Sequence, residues 1–391
     1  MGDKSVIREL AAYAAKRGEE IGEENVFNYS LGNPSVPVPQ IYTDTMIRLL
    51  KEEDPIRLHS YAPTLGVESV REKVAASLRR RFGIPYEKIH IYPVSGAASA
   101  LSHAMRAVGT PGQEIVIQAP FFSEYRQYVL GADLIMKVVP ANFETFQIRF
   151  DEMEKAITEN TAAVLLNSPC NPSGTVFTDE TLTALSELLK KKSEEFGHII
   201  FLISDEPYRE IAFDGKKVPY PSRYYDHTLS CYSFSKSQSV PGERIGYIAV
   251  NPKCEMADQM TALFGQISRG IGHNGPSSLP VYTMGETIDE TSDLQVYEEN
   301  MNILYDAFRR LGFTVQRPGG TFYLLPKALE DDSVAFCKKA LKYDLVFVPG
   351  DGFGAPGYFR VAYCVPTEKV RRSVAAIERF CAEEYGVKPN A

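Results

Sequence analysis

The 391-residue chain reads as an α/β protein with a mostly parallel sheet flanked by helices in a large domain, plus a smaller α+β domain built from both termini. Three observations predict this. Short apolar runs alternate with helix-length segments between residues 89 and 250. After about Pro276 that alternation gives way to a long amphipathic segment, short strands and a last helix. Polar residues cluster just after the strand-like runs, where open α/β sheets bind their ligands.

Residues 1–20 are charged and helical in pattern, and Pro34, Pro37 and Pro39 mark an extended arm. Residues 89–94 form a short apolar run, and residues 95–108 an alanine-rich helix. Residues 115–117 are a strand ending at Pro120. Residues 162–166 are another, running into Asn167-Ser-Pro-Cys-Asn-Pro-Ser-Gly174. Leu182, Leu185, Leu188 and Leu189 recur at helical spacing. The strand at 198–203 leads to Asp205, the strand at 229–232 leads to Ser233, and residues 245–250 form one more. Such alternation favours parallel pairing, because parallel strands need a helical crossover between them. Beyond it, residues 296–311 predict a helix, residues 321–325, 345–348 and 358–363 short strands, and residues 366–384 a closing helix. The expected division is a large domain over 46–275 and a small one over 1–45 plus 276–391.

Composition narrows the function. Apolar residues at 44% and charged residues at 24% are ordinary for a globular enzyme. A net charge of −8 without a Lys/Arg block argues against nucleic acid and anionic membranes as partners. No run approaches the roughly 20 apolar residues of a membrane-spanning helix. The N-terminal segment lacks an apolar stretch of signal-peptide length. Cys170, Cys231, Cys254, Cys337, Cys364 and Cys381 form no CxxC pair, which predicts free thiols and a cytoplasmic location. His59, His90, His103, His198, His227 and His273 are scattered without an HExxH, so no metal is expected. No GxGxxG follows a predicted strand, which opposes a dinucleotide oxidoreductase.

The chemistry-bearing segment is Ser233-Phe-Ser-Lys236, with Arg244 eight residues beyond. A lysine among hydroxyls, with an arginine returning nearby, suits an aldehyde held as a Schiff base and a phosphate ester gripped on the same molecule. Pyridoxal 5′-phosphate combines the two.

The order of the motifs extends this. Leu31-Gly-Asn-Pro34, Tyr61 with Gly66, Ser95-Gly-Ala97, Pro120-Phe-Phe-Ser-Glu-Tyr125, Asn171-Pro-Ser-Gly174, Asp205-Glu-Pro-Tyr208, Ser233-Phe-Ser-Lys236, Arg244, Pro318-Gly-Gly-Thr-Phe-Tyr323, Pro349-Gly350 and Arg360 follow one another. The series resembles the fold-type I, class I/II pyridoxal-phosphate-dependent aminotransferases, from about Tyr29 to Tyr363. The resemblance implies a seven-stranded sheet and a ping-pong transfer from an L-amino acid to a 2-oxo acid. It implies Lys236 as the Schiff-base lysine and proton carrier, and Asp205 facing the pyridine nitrogen. Tyr208 and Asn171 would bond the ring's O3′, and Phe122 would stack on the ring. Ser95, Gly96, Ala97, Ser233 and Arg244 would hold the phosphate. Tyr61 would come from a neighbouring subunit, so a homodimer with a shared site is expected. Arg360 would clamp the substrate α-carboxylate, assisted by Gly32, Asn33 and Asn171. Arg269 resembles the arginine that meets a distal carboxylate in some aspartate aminotransferases. Ala97 lacks a hydroxyl that relatives carry, Phe122 lacks a polar handle, and His273 and Gly275 depart from the usual loop around Arg269. The same scaffold also supports carbon–sulfur β-lyases, which share proton removal at Cα and differ in what leaves next. Some transcription regulators carry such a domain behind a DNA-binding head; the acidic balance here and the short segment before Tyr29 oppose that reading.

Overall fold

The structure, a computed structural model, describes residues 6–389. The expected N-terminal helix therefore lies partly outside the described residues; within them it spans Val6–Ile21. The strands are β1 (Phe27–Asn28), β2 (Ile91–Val94), β3 (Glu114–Gln118), β4 (Ile135–Val139), β5 (Thr161–Asn167), β6 (Phe201–Asp205), β7 (Thr228–Ser233), β8 (Gly246–Val250), β9 (Tyr323–Leu324), β10 (Leu345–Val346), β11 (Val348–Pro349) and β12 (Phe359–Ala362).

Seven of these form one sheet in the order β2-β8-β7-β6-β5-β3-β4. The five from β7 to β4 pair in parallel, while β8 runs antiparallel to both β7 and β2. The chain between β7 and β8 holds only the short helix Phe234–Ser237. That is too little for a parallel crossover, so β8 turns back beside β7. The central strands are buried on both faces; β5 and β6 read as largely apolar runs, while β7 alternates Thr228, Ser230 and Ser233 with apolar residues. β4 escaped the sequence reading because it is an edge strand. Ile135 and Val138 are exposed and Lys137 interrupts the run, so it lacks the buried-strand signature.

Sheet register assembles the site. Asn167 on β5 stands opposite Asp205 on β6, and Asp205 opposite Cys231 on β7. Gly246 on β8 faces Ser233 on one side and Val94 on the other. The ends of four strands thus bring Asn167, Asp205, Ser233 and the turn after Val94 to one rim.

Residues from both ends of the chain share a second core. β1 pairs in parallel with β10, and β12 lies between β11 and β9. The run at 345–348 therefore divides between two sheets. Phe27 and Tyr29 pack with Phe308, Phe336, Phe347 and Phe359 in that core. β12, buried along its length, carries Arg360 out of it toward the rim.

Candidate active site

A cavity of about 390 Å³ opens at the rim. Lys236, Asp205, Asn171, Tyr208, Arg244 and Arg360 all line it, as do Phe122, Ser233, Ala97 and Gly32.

Lys236 sits on the one-turn helix that Ser233 caps by accepting the N–H of Ser235. Its Nζ donates to the Gly32 carbonyl at 2.7 Å. A Cβ at Gly32 would collide with the Tyr323 hydroxyl, so the close approach needs glycine. Burial lowers the Lys236 amine to about 8; Cys364 opposes this shift, and the charges of Arg244 and Arg360 add to it.

Asp205 ends β6 and is buried. Its Oδ2 accepts from the Tyr125 hydroxyl at 2.5 Å, while its Oδ1 has no partner. Burial pushes its carboxyl up to about 7, the bond from Tyr125 pulls it down, and the Glu206 charge pushes it further up. Asn167 braces the strand end by donating from Nδ2 to the Asp205 carbonyl at 2.9 Å and accepting the Asn171 N–H at 2.6 Å. The Tyr208 and Tyr323 hydroxyls are 3.1 Å apart.

Ser95 and Gly96 lie before the helix Ala97–Val108, with Gly96 at φ 82°. This left-handed residue starts the helix two positions later than the sequence pattern suggested. A Cβ on Gly96 would come within 2.8 Å of Arg244 Nη2, so the glycine also admits that guanidinium. Arg244 donates to the carbonyls of Pro241 (3.0 Å) and Ser95 (3.1 Å). The Ser233 and Ser235 hydroxyls pair at 2.8 Å. Helix N-terminus, guanidinium and hydroxyls together make an anion cradle.

Arg360 is 2% exposed yet faces no carboxylate among the described residues. It donates from Nη1 to Asn171 Oδ1 at 3.1 Å and from Nη2 to the Ser30 carbonyl at 2.6 Å, and its Nε is unpartnered. The rings of Tyr323 and Phe353 flank it, each 4.8 Å away. A buried cation without a counter-ion is costly unless a ligand completes it.

Ser95 and Gly96 do not line the cavity themselves but abut Arg244, which does; three other expected residues stand apart. Asn33 is exposed and does not line the cavity. Tyr61 follows the short helix Pro55–His59 and is fully exposed, outside this chain's cavity. Arg269 lies exposed in the last turn of the helix Ala257–Gly270, also away from it. Conversely, Tyr125, Ser235 and Tyr323 join the site without having been singled out. Each lay within a quoted motif; what was missing was the contact, which only the fold supplies.

The donors fit a phosphorylated pyridine aldehyde. The cradle suits a phosphate dianion, the unpartnered Asp205 oxygen suits a ring N–H, and Lys236 is an amine partly deprotonated near neutrality. Comparison with known proteins agrees. The family model for aminotransferase class I and II matches residues 24–377. The aspartate aminotransferase of Geobacillus stearothermophilus is 29% identical over 377 residues, covering 91% of each chain. That of Bacillus subtilis is 28% identical over 396 residues, covering 95% of each. Among solved structures, an amino transferase from Eubacterium rectale superposes with TM-score 0.95 at 42% identity, covering 98% of this chain and 97% of that one. The aspartate aminotransferase of Thermotoga maritima gives 0.88 at 26% identity, covering 97% and 98%.

Proposed function

We infer the roles below from one premise: the chain belongs to the class I and II aminotransferase family and is an enzyme that moves amino groups between amino acids and 2-oxo acids with pyridoxal 5′-phosphate. Its relatives are aminotransferases, so the carbon–sulfur lyase reading is not favoured. When bound, the cofactor supplies an aldehyde and an electron-accepting ring. Arg244, Ser233 and the amides of the 95–97 turn would hold its phosphate. With the cofactor bound, Asp205 would keep the ring nitrogen protonated through its free oxygen, while Tyr125 holds the other. Asn171 and Tyr208 would donate to the ring oxygen, and Phe122 would cover a ring face. Arg360 takes the substrate α-carboxylate in its fork, with Asn171 bridging. That grip orients Cα–H toward Lys236, which takes the proton and returns it to complete transfer.

The observation that carries this reading is the buried Arg360, without a carboxylate partner among the described residues, in the same cavity as Lys236 and Asp205. The donor named for the curated relatives is aspartate, and we assign a dicarboxylic amino acid here too. A second copy of the chain supplies Tyr61, which its full exposure supports. The six free cysteines are all buried, which supports a cytoplasmic location; among the described residues no helix is long and apolar enough to cross a membrane.

An absorbance scan tests the reading. The purified protein with cofactor should show a visible band that bleaches with aspartate and returns with a 2-oxo acid. The Lys236→Ala variant should bind cofactor and lose turnover. Full turnover in that variant would remove the assignment.

A further inference from the structure

Tyr128 lines the Lys236 cavity and has no part in the roles above. It lies on the helix Tyr125–Gly131, one turn beyond Tyr125, with the two ring centroids 6.5 Å apart. Residues three apart share a helix face, so the face that sends Tyr125 to Asp205 also carries Tyr128. This helix packs against the helix Ala97–Val108; Leu101, Ala104, Tyr125 and Val129 share one apolar core, and Tyr128 rests on it. Tyr128 thus stands beside the helix whose start forms the anion cradle.

That side of the cradle is short of donors. Ser233, Ser235 and Arg244 bring hydroxyls and charge from the Lys236 side. The two packed helices contribute Ala97, Ala98, Leu101 and Tyr128 to the lining, and only Tyr128 carries a polar side-chain group. Tyr128 is half-buried, and its hydroxyl meets no hydrogen-bond partner among the described residues. Burial pushes its phenol up to about 12; Asp205 and Glu124 add to that, and Arg244 and Arg8 oppose it. The hydroxyl therefore remains a donor at neutral pH, within reach of the Arg244 field. We propose that Tyr128 donates its hydroxyl to the cofactor phosphate, closing the cradle on the side where Ala97 and Ala98 offer no side-chain donor. This rests on the cofactor reading of the same cavity. A hydrogen bond to a charged phosphate is stronger than one between neutral groups.

The test measures binding of pyridoxal 5′-phosphate and of pyridoxal, which lacks the phosphate, to the cofactor-stripped chain by equilibrium dialysis. Tyr128→Phe keeps the packed ring, so the melting temperature of the cofactor-free protein should hold. Its Kd for pyridoxal 5′-phosphate should rise roughly tenfold, while that for pyridoxal stays within about twofold. Ala97→Ser should recover most of the loss in the Tyr128→Phe background and add little in the wild type, where the donor is already present. Equal weakening of both compounds would place Tyr128 at the ring and overturn the phosphate role. An unchanged Kd, or no recovery by Ala97→Ser, would overturn it too. A wild-type chain that bound neither compound would overturn the cofactor reading itself, which separates the two failures.

Discussion

At the end of β6, two consecutive carboxylates, Asp205 and Glu206, lie 4% and 1% exposed. Burial pushes both above the ordinary carboxylate range. Asp205 meets only a neutral phenol and lines the cavity. Glu206 points to the other side of the sheet, where its Oε2 accepts from Arg209 Nη1 at 2.8 Å. Arg209 is itself enclosed: Nη2 donates to the Tyr247 hydroxyl at 2.9 Å, and the rings of Phe82, Tyr220 and Tyr232 surround its guanidinium. One region is closed by a protein cation; the other leaves its cation to a ligand. The same contrast appears at Arg360, a buried cation that meets no carboxylate among the described residues. Unbalanced buried charge, more than buried charge as such, separates the site from its scaffold.

Asp205→Asn breaks the open half of this comparison and carries the largest effect. An amide cannot keep the ring nitrogen protonated, so kcat/KM should fall about 10³-fold, equivalent to about 4 kcal/mol. The cofactor-free fold should gain from the same change. The folded value near 7 lies above the ordinary 3.8, so the folded chain holds a proton that the unfolded chain releases. That stabilisation is complete below the ordinary value and is lost as pH rises through 7. Thermal melts of the cofactor-free wild type should therefore fall between acid and neutral pH, and this group's share of the fall should vanish in Asp205→Asn. An unchanged pH dependence would count against the burial argument.

Arg209→Ala breaks the closed half. It strands Glu206 in the interior, and stability should drop by about 3 kcal/mol. Changing both partners to apolar residues should cost less than the single change, which a double-mutant cycle in urea would read. Neither Glu206 nor Arg209 lines the cavity, so the surviving enzyme should keep its KM. A KM shift as large as that of Asp205→Asn would dissolve the distinction between the two regions.

How much of this was visible beforehand depended on the kind of signal. The buried strands β5 and β6 announce themselves by largely apolar runs, β7 by its place before the Ser233-Phe-Ser-Lys236 motif, and the motif residues at their ends follow in chain order. β4 did not, because an edge strand need not be apolar. The fork between β10 and β11 did not, because pairing partners decide it and one residue separates them. Lys236, Asp205 and Arg360 were legible from motif order. Tyr125 against Asp205 and Tyr323 against Tyr208 were not, since each pair meets across a long stretch of chain. Arg269 and Tyr61 show where local likeness stops: both match motif positions, and both lie outside the cavity of their own chain.

Lys236 sharpens the comparison by pH. Its amine near 8 must be neutral to take the Cα proton. In the cofactor-free protein, to which that value applies, condensation with added pyridoxal 5′-phosphate also needs the neutral amine, so its rate should rise about tenfold per pH unit below 8 and level above it. A solvent-exposed lysine would give no plateau in that range.

Tyr125→Phe makes the smallest change and tests the open carboxylate most directly. The phenol stabilises the ionised Asp205 with a 2.5 Å bond, so its loss leaves both oxygens unpartnered in a buried site. The carboxyl of the cofactor-free protein should then titrate higher still, moving the fall in melting temperature toward alkaline pH. With cofactor bound, the ring N–H takes over as partner, so the effect should shrink. We expect a loss of about 1 kcal/mol in kcat/KM, roughly fivefold, and weaker cofactor retention on dilution. The ring of Phe keeps the T-shaped packing on Phe122, so a larger loss would mean that the hydroxyl does more than hold Asp205. No loss at all, with an unshifted melting profile, would mean that the strand end positions Asp205 unaided.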